Sequence, residues 1–211
     1  MDRKICFVIP MWNQFRYTDQ LINDLNNQTH PKFDIILVDD GSNPPYDISR
    51  CPRFIKGEVF LVTKSANEGL MRAWNTGATA AMQLGYDLVL FPNNDITLSF
   101  NLLDTFCIYL DKGFDIITIT APEDTRIWEK GQDWQYGFGA TCFCMERKIL
   151  KRRKETLGYY FDPAFRGADL EDYDIMLWII NNKDVKSIRS LSCKAYGNCS
   201  ATAKYAVKPN R

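Results

Sequence analysis

The chain has 211 residues, of which 45% are apolar and 25% charged, a composition that suits one globular domain with a sizeable core. Lys and Arg together number 26, as do Asp and Glu, so no overall field attracts nucleic acid or an anionic membrane. No apolar run approaches the ~20 residues that a membrane-spanning helix needs.

The first residues and the cysteines indicate a cellular compartment. Residues 1–4 lead directly into a strand-like run, without the longer apolar segment of a signal peptide. The seven cysteines form no regular framework, which favours reduced thiols. Cys142 and Cys144 would share one face of a strand, but no second Cys or His pair lies nearby to complete a metal site. We therefore expect a cytoplasmic protein.

Short apolar runs alternate with segments of helical spacing in the first 120 residues. We predict strands at residues 5–9, 35–38, 59–62, 88–91 and 116–119. We predict helices between them at residues 17–26, 67–84 and 102–110. Continuous β-branched and apolar runs are typical of strands buried on both faces. The alternation predicts an α/β fold with a mostly parallel central sheet and helices on both faces.

The second half of the chain is less regular. Around residues 121–139, Trp128, Trp134 and Tyr136 stand among charges and glycines, a pattern typical of an irregular wall over a sheet edge. We predict strands at residues 140–145 and 185–191, and helices at residues 147–154 and 170–181. Because no repeat or low-complexity linker interrupts the chain, we expect a single domain over residues 1–211.

Acidic residues end two of the predicted strands and open one predicted helix. The three acidic segments are Asp39-Asp40-Gly41-Ser42, Asn93-Asn94-Asp95 and Glu171-Asp172. Open α/β sheets bind their ligands at the carboxyl ends of the strands. Three acidic sites on one sheet therefore suggest a divalent cation, a nucleoside diphosphate and a general base, which is the chemistry of sugar transfer.

Each acidic segment also has a structural interpretation. An ionised carboxylate after strand 35–38 accepts an imide N–H of uracil or thymine or a ribose hydroxyl, but Asp-Gly-Ser is equally typical of a turn. Asp95 either binds a hard cation together with substrate phosphates or belongs to a turn before a helix. Glu171 and Asp172 either include a general base or stabilise a helix N-terminus. No G-x-G-x-x-G follows strand 5–9, which argues against a dinucleotide cofactor.

Two further groups of residues have open interpretations. The aromatic residues of segment 128–138 are typical of a core, although sugars also stack on aromatic faces. The basic run 147–154 is typical of a solvated helix face, although it could also grip phosphates. His30, the only histidine, precedes Pro31 in a polar loop and is expected at the surface.

Taken together and in this order, the segments resemble the inverting glycosyltransferases of family 2, which have the GT-A fold. The resemblance runs from about residue 6 to residue 178. It rests on FVIPMWN at 7–13, VDDGS at 38–42, NEG at 67–69, NTG at 75–77, NND at 93–95, GAT at 139–141, FD at 161–162 and ED at 171–172.

The resemblance implies a nucleotide-binding half at about residues 1–100. The residues that would contact the nucleotide are Pro10, Asp39, Asp40, Ser42, Asn67, Arg72 and Asn94. Asp40 would lie at the base ring with Asp39 supporting it, and the donor would be a UDP- or dTDP-sugar.

The resemblance also implies the reacting groups. Asp95 would bind Mn²⁺ or Mg²⁺ bridging the donor's diphosphate, Asp172 would be the general base, and Glu171 would orient the acceptor. The acceptor half, about residues 101–211, would contribute Trp134, Gly139 and Ala140. Family members of this kind act by one in-line displacement that inverts the anomeric carbon, while the metal neutralises the departing diphosphate.

Two departures from the family pattern leave alternatives open. Asn93 replaces the first acidic residue of the family's D-x-D motif, and segment 194–202 lacks the late histidine that many relatives use as a metal ligand. A weak or inactive nucleotide-sugar-binding module is therefore the alternative. The expected acceptor is a glycan, glycolipid or protein hydroxyl; a hydroxylated base in nucleic acid, as in phage-type modification, is less favoured by the neutral charge.

Overall fold

The computed structural model describes residues 3–120, 139–165 and 171–197. The strands are β1 (Ile5–Met11), β2 (Asp34–Asp39), β3 (Val59–Thr63), β4 (Leu88–Pro92), β5 (Ile96–Leu98), β6 (Ile116–Thr120), β7 (Cys142–Glu146) and β8 (Ser187–Gly197). The helices are α1 (Phe15–Leu25), α2 (Leu70–Gln83), α3 (Leu102–Asp111), α4 (Arg147–Leu157) and α5 (Glu171–Asn181).

The eight strands form one sheet in the order β3-β2-β1-β4-β7-β6-β8-β5. β1 pairs in parallel with β2 and β4, β2 with β3, and β6 with β8. β7 runs antiparallel to β4 and β6, and β5 runs antiparallel to β8. The predicted mostly parallel sheet is thus confirmed, and the carboxyl ends of β1, β2, β3, β4 and β6 lie at one edge.

Burial explains why the central strands were visible in the sequence. Every residue of β1 and of β4 is buried, as expected for strands covered on both faces. β5 was not predicted, because three residues are too few to show a period. It pairs with the far end of β8, where Leu98 lies opposite Ala195.

The helices cover both faces of the sheet, as predicted. Successive side chains of β1 point to opposite faces, so Phe7 packs with Leu21 and Phe106 of α1 and α3, while Val8 packs with Trp74 on the α2 side. α4 and α5 complete the layer on the α2 side. None of the helices within the described residues is long and apolar enough to cross a membrane.

The five cysteines whose side chains are described form no disulfide bond with one another. Burial raises the pKa of the Cys6 and Cys144 thiols well above the ordinary value. Cys142 and Cys144 both lie in the core on the α1 side. The Cys6 and Cys144 thiols therefore stay protonated and behave as small apolar side chains.

Gly77 sets the distance between α2 and the sheet. A Cβ atom at this position would lie 2.2 Å from Val8 Cγ1 and 3.1 Å from Val38 Cγ2. Since the helix backbone touches β1 and β2 directly, the N-terminus of α2 is held close to their carboxyl ends.

We expect Gly77→Ala to lower the melting temperature. Alanine gains about 1 kcal/mol of helix propensity, but overpacking typically costs about 1–3 kcal/mol. We expect the second effect to win, because the side chain it meets is buried, β-branched and stiff. Thermal unfolding measures the balance, with Thr79→Ala on the exposed face of α2 as the control. A melting temperature at or above that of the control would contradict the close approach.

Candidate active site

The candidate site lies where four chain segments meet at the carboxyl edge of the sheet. Met11 at the end of β1 pairs with Asp39 at the end of β2, and Pro92 at the end of β4 pairs with Cys142 at the start of β7. The backbone N–H of Asn93 donates to Thr141 O at 3.0 Å. The edge therefore brings the predicted nucleotide-binding segments next to the predicted acceptor strand.

Asp39 is buried and shapes the loop that follows β2. Its carboxylate accepts hydrogen bonds from the backbone N–H groups of Ser42 at 2.9 Å and Tyr46 at 2.8 Å. Both oxygens are therefore engaged inside the protein. Asp39 acts on the site through the conformation of residues 40–46.

Ser42 and Asn13 join the loop after β2 to the loop after β1. Ser42 Oγ accepts from the Asn13 N–H at 2.9 Å, and Asn13 Oδ1 accepts from the Asn43 N–H at 2.9 Å. Asn13 adopts the left-handed region at φ +58°, which asparagine tolerates better than most residues. Sequence reasoning gave Asn13 no role, because its partners lie about thirty positions along the chain.

Asp40 lies at the N-terminus of α2 with an exposed fraction of 4%. Its carboxylate binds Lys64 Nζ at 2.5 Å and accepts from the backbone N–H of Gly69 at 2.8 Å and of Glu68 at 3.2 Å. A carboxylate has about four acceptor positions. A base ring would therefore use the remaining position or displace Lys64. The sequence gave no role to Lys64, although it directly follows β3 at the same edge.

Gly41 lets the loop before α2 rest on the loop after β2. It has φ +74°, and a Cβ atom there would lie 2.2 Å from the Ala66 carbonyl carbon. Asn67 is exposed and caps the Gly69 N–H at 3.0 Å, and Arg72 stands in the first turn of α2. Arg72 adds a positive charge near the N-terminus of α2, where the Asp40 carboxylate already accepts from the Glu68 and Gly69 N–H groups.

Asn94 and Asp95 follow β4 and are each 8% exposed. Asn94 Nδ2 donates to Thr18 Oγ1 of α1 at 3.2 Å, so part of its amide is engaged away from any ligand. Within the described residues, no three His, Cys, Asp or Glu side chains lie together as a metal cage. A single carboxylate that binds a hard divalent cation usually does so together with phosphate oxygens.

Three buried residues without reactive side chains lie at this edge: Pro10, Gly139 and Ala140. Pro10 pairs with Val38 inside the sheet. Thr118 Oγ1 hydrogen bonds to Gly139 O, and a Cβ atom on Gly139 would lie 3.3 Å from Arg189 Nη2. These residues shape the walls of the site rather than supply reactive groups.

Asn75 of α2 holds the segment that leads towards α5. Its Oδ1 accepts from the N–H groups of Tyr160 at 3.0 Å and Phe161 at 3.1 Å, and its Nδ2 donates to Phe161 O at 2.6 Å. These three bonds need both the amide oxygen and the amide N–H₂ of an asparagine, which accounts for the first residue of the NTG segment.

The basic run 147–154 differs from the solvated face predicted for it at Arg153 and, in part, at Arg147, which is half-buried and donates to the backbone oxygens of Met82 and Tyr86. Arg153 is fully buried and pairs with Asp174 at 2.6 Å, because residues 160–161 and α5 cover this side of α4. Burial lowers the pKa of Arg153, and the Asp174 charge opposes that shift. Arg152 pairs with Asp184 and Lys148 pairs with Asp115. Arg153 is therefore not available to grip the phosphates of a nucleic acid.

Several predicted site residues lie outside the described part. Trp134 and its aromatic neighbours fall in residues 121–138, and most of the late segment without histidine falls in residues 198–211. Glu171 and Asp172 form the start of α5, where the backbone is described but their side chains are not. Their roles stay predictions.

Comparison with known proteins identifies the family. A family model described as "Glycosyl transferase family 2" matches residues 6–167, more than half of the chain. The chain belongs to glycosyl transferase family 2. The resemblance stated from the sequence motifs is thereby confirmed.

A curated relative matches part of the chain. An uncharacterized glycosyltransferase of Rickettsia bellii (strain RML369-C) is 29% identical over 132 residues, which are 62% of this chain and 18% of that protein. The chain thus spans less than a fifth of this curated relative.

Solved structures share the fold. The match to the crystal structure of S. aureus TarS 1-349 covers 93% of this chain and 61% of the TarS chain, with a TM-score of 0.66 at 18% identity. A mannosyltransferase from Pyrobaculum calidifontis, PcManGT in complex with GDP-Man and Mn²⁺, covers 93% and 57%, with a TM-score of 0.71 at 16% identity. At these identities the likeness concerns the fold alone, and it confirms the GT-A architecture of this family 2 chain.

The internal bonds of Asp39 generate a prediction. Asp39→Asn places an amide N–H₂ against one of two backbone N–H donors, and a buried donor without a partner costs about 1–3 kcal/mol. We expect the free energy of unfolding in urea to fall by that amount. Asp47→Asn is the matched control, since Asp47 is exposed in the same loop and bonds to Ser49. Equal unfolding free energies for the two variants would contradict the role of Asp39.

Proposed function

We propose that this domain transfers a sugar from a UDP- or dTDP-sugar to an acceptor hydroxyl, with inversion at the anomeric carbon. One observation carries the proposal: the segments after β1, β2 and β4 and the segment before β7 converge at one sheet edge in a family 2 chain. The proposed acceptor is a glycan, glycolipid or protein hydroxyl, in preference to nucleic acid.

The donor nucleotide would lie along the ends of β1 and β2. Asp40 faces the base in this arrangement, supported by Asp39, and Pro10 and Ser42 border the nucleoside. The diphosphate would lie near Asn67 and Arg72 at the N-terminus of α2, and Asn94 would border it. Because an ionised carboxylate only accepts hydrogen bonds, Asp40 favours a base with an imide N–H, such as uracil or thymine.

Asp95 would hold Mn²⁺ or Mg²⁺, with the donor's diphosphate supplying further oxygen ligands and Asn93 a neutral one. When bound, the cation neutralises charge on the departing nucleoside diphosphate. The described protein residues offer no complete cage, so we expect the cation to bind together with the nucleotide.

The start of α5 would supply the proton acceptor. Asp172 takes the proton from the acceptor hydroxyl while that oxygen attacks the anomeric carbon. The bond from this carbon to the diphosphate oxygen breaks on the opposite face, so the configuration inverts. Glu171 orients the acceptor, and Trp134, Gly139 and Ala140 border its site.

A nucleotide-sugar-binding module without catalysis is the second candidate. It is favoured by Asn93, which removes one carboxylate from the metal motif, and by the internal ion pair that already engages Asp40. Turnover of any donor, including slow hydrolysis, rules this candidate out.

We expect Asp172→Asn to reduce sugar transfer by a factor of about 10²–10⁴, the usual contribution of a general base. UDP affinity should stay within about twofold, because the substitution removes a charge from the acceptor side only. Transfer and calorimetric UDP binding are measured on the same preparations. Asp184→Asn, an exposed carboxylate that follows α5, serves as the control. Full activity of Asp172→Asn would assign the base elsewhere.

A further inference from the structure

A buried ion pair joins α4 to α5. Arg153 of α4 has an exposed fraction of 0%, and its Nη2 bonds to Asp174 Oδ2 at 2.6 Å. Its Nε donates to Tyr160 O at 2.6 Å, and its guanidinium carbon lies 4.9 Å from the ring of Trp178. These contacts fix the guanidinium of Arg153 between α5 and the backbone at Tyr160.

This ion pair is poorly explained by stability alone. Replacing a buried pair with apolar side chains of similar size is often neutral or stabilising, since two charges must be stripped of water. Among the residues that the structure describes, no hydrogen-bond partner reaches the buried Arg153 Nη1, which adds to that penalty. A charged pair with fixed bond directions is better suited to setting the orientation of the elements that it joins.

Asp174 of α5 contacts both α4 and the segment that follows it. Its Oδ2 accepts from Arg153 and also from the backbone N–H of Asp162 at 3.2 Å. It stands in the first turn of α5, two positions after Asp172. From the other side, Asn75 of α2 fixes the backbone of Phe161.

We propose that Arg153 and Asp174 are positioning residues, which set the first turn of α5 relative to α2 and the nucleotide-binding edge. The inference rests on the proposed function, in which this turn carries the general base. Misplacing a catalytic group by about 1 Å can cost about 10²-fold in rate. Loosening the pair should therefore slow turnover without weakening donor binding.

The kinetic test compares Arg153→Lys and Asp174→Asn with Arg152→Lys. The control changes the preceding residue of α4, which pairs with Asp184 and Asn182. We expect kcat to fall at least tenfold in the first two variants, with the donor KM and the UDP Kd within twofold of wild type. Values of kcat equal to that of the control would overturn the inference.

Hydrogen exchange tests the same inference without turnover. We expect backbone amides at residues 171–177 to exchange at least tenfold faster in Arg153→Lys and Asp174→Asn than in the control. Equal exchange would overturn the inference. If the wild type transfers no sugar, the proposed function fails, while this exchange result still decides whether the pair fixes the turn.

An apolar replacement separates positioning from stability. We expect Arg153→Met combined with Asp174→Leu to recover a melting temperature near that of wild type while kcat stays at least tenfold low. Recovery of both values would show that packing alone suffices, and would overturn the inference.

Discussion

β1 lies between β2 and β4 and pairs in parallel with both, and the candidate site depends on this arrangement. Parallel pairing places the ends of the three strands, and the acidic segments that follow two of them, at the same edge. Gly77 then lets α2 approach β1 closely enough for its N-terminus to meet Asp40. A shift of one residue in β1 would turn its side chains to the wrong face and lose both core layers.

The loops at this edge are fixed by bonds among themselves. Asp39 shapes the loop after β2, Asn13 ties it to the loop after β1, and Lys64 ties it to the end of β3. Loops that are already ordered in this way lose little conformational entropy when a ligand binds. The same bonds make Asp40 a residue with two functions, because the oxygens that cap α2 are also those proposed to meet the base.

Much of the fold was predictable, because strands buried on both faces leave continuous apolar runs such as that of β4. The three-residue β5 left no pattern. The position of Asp39 and Asp40 at the carboxyl edge was predictable, because both directly follow the apolar run of β2; their roles stay predictions. Lys64 and Asn13 were missed because their roles arise from partners about 24–30 positions away. The burial of Arg153 was not predicted, because the sequence does not distinguish it from the neighbouring basic residues. Only the packing of α5 against α4 shows which of them is buried.

We expect this edge to bind a nucleoside diphosphate together with a divalent cation. Calorimetric titration of the wild-type domain with UDP, with and without Mn²⁺, tests it directly, and dTDP and GDP serve as comparison ligands. We expect UDP or dTDP to bind more tightly than GDP, and Mn²⁺ to strengthen binding at least tenfold. Absence of binding by all three nucleotides, in the presence of Mn²⁺, would contradict it.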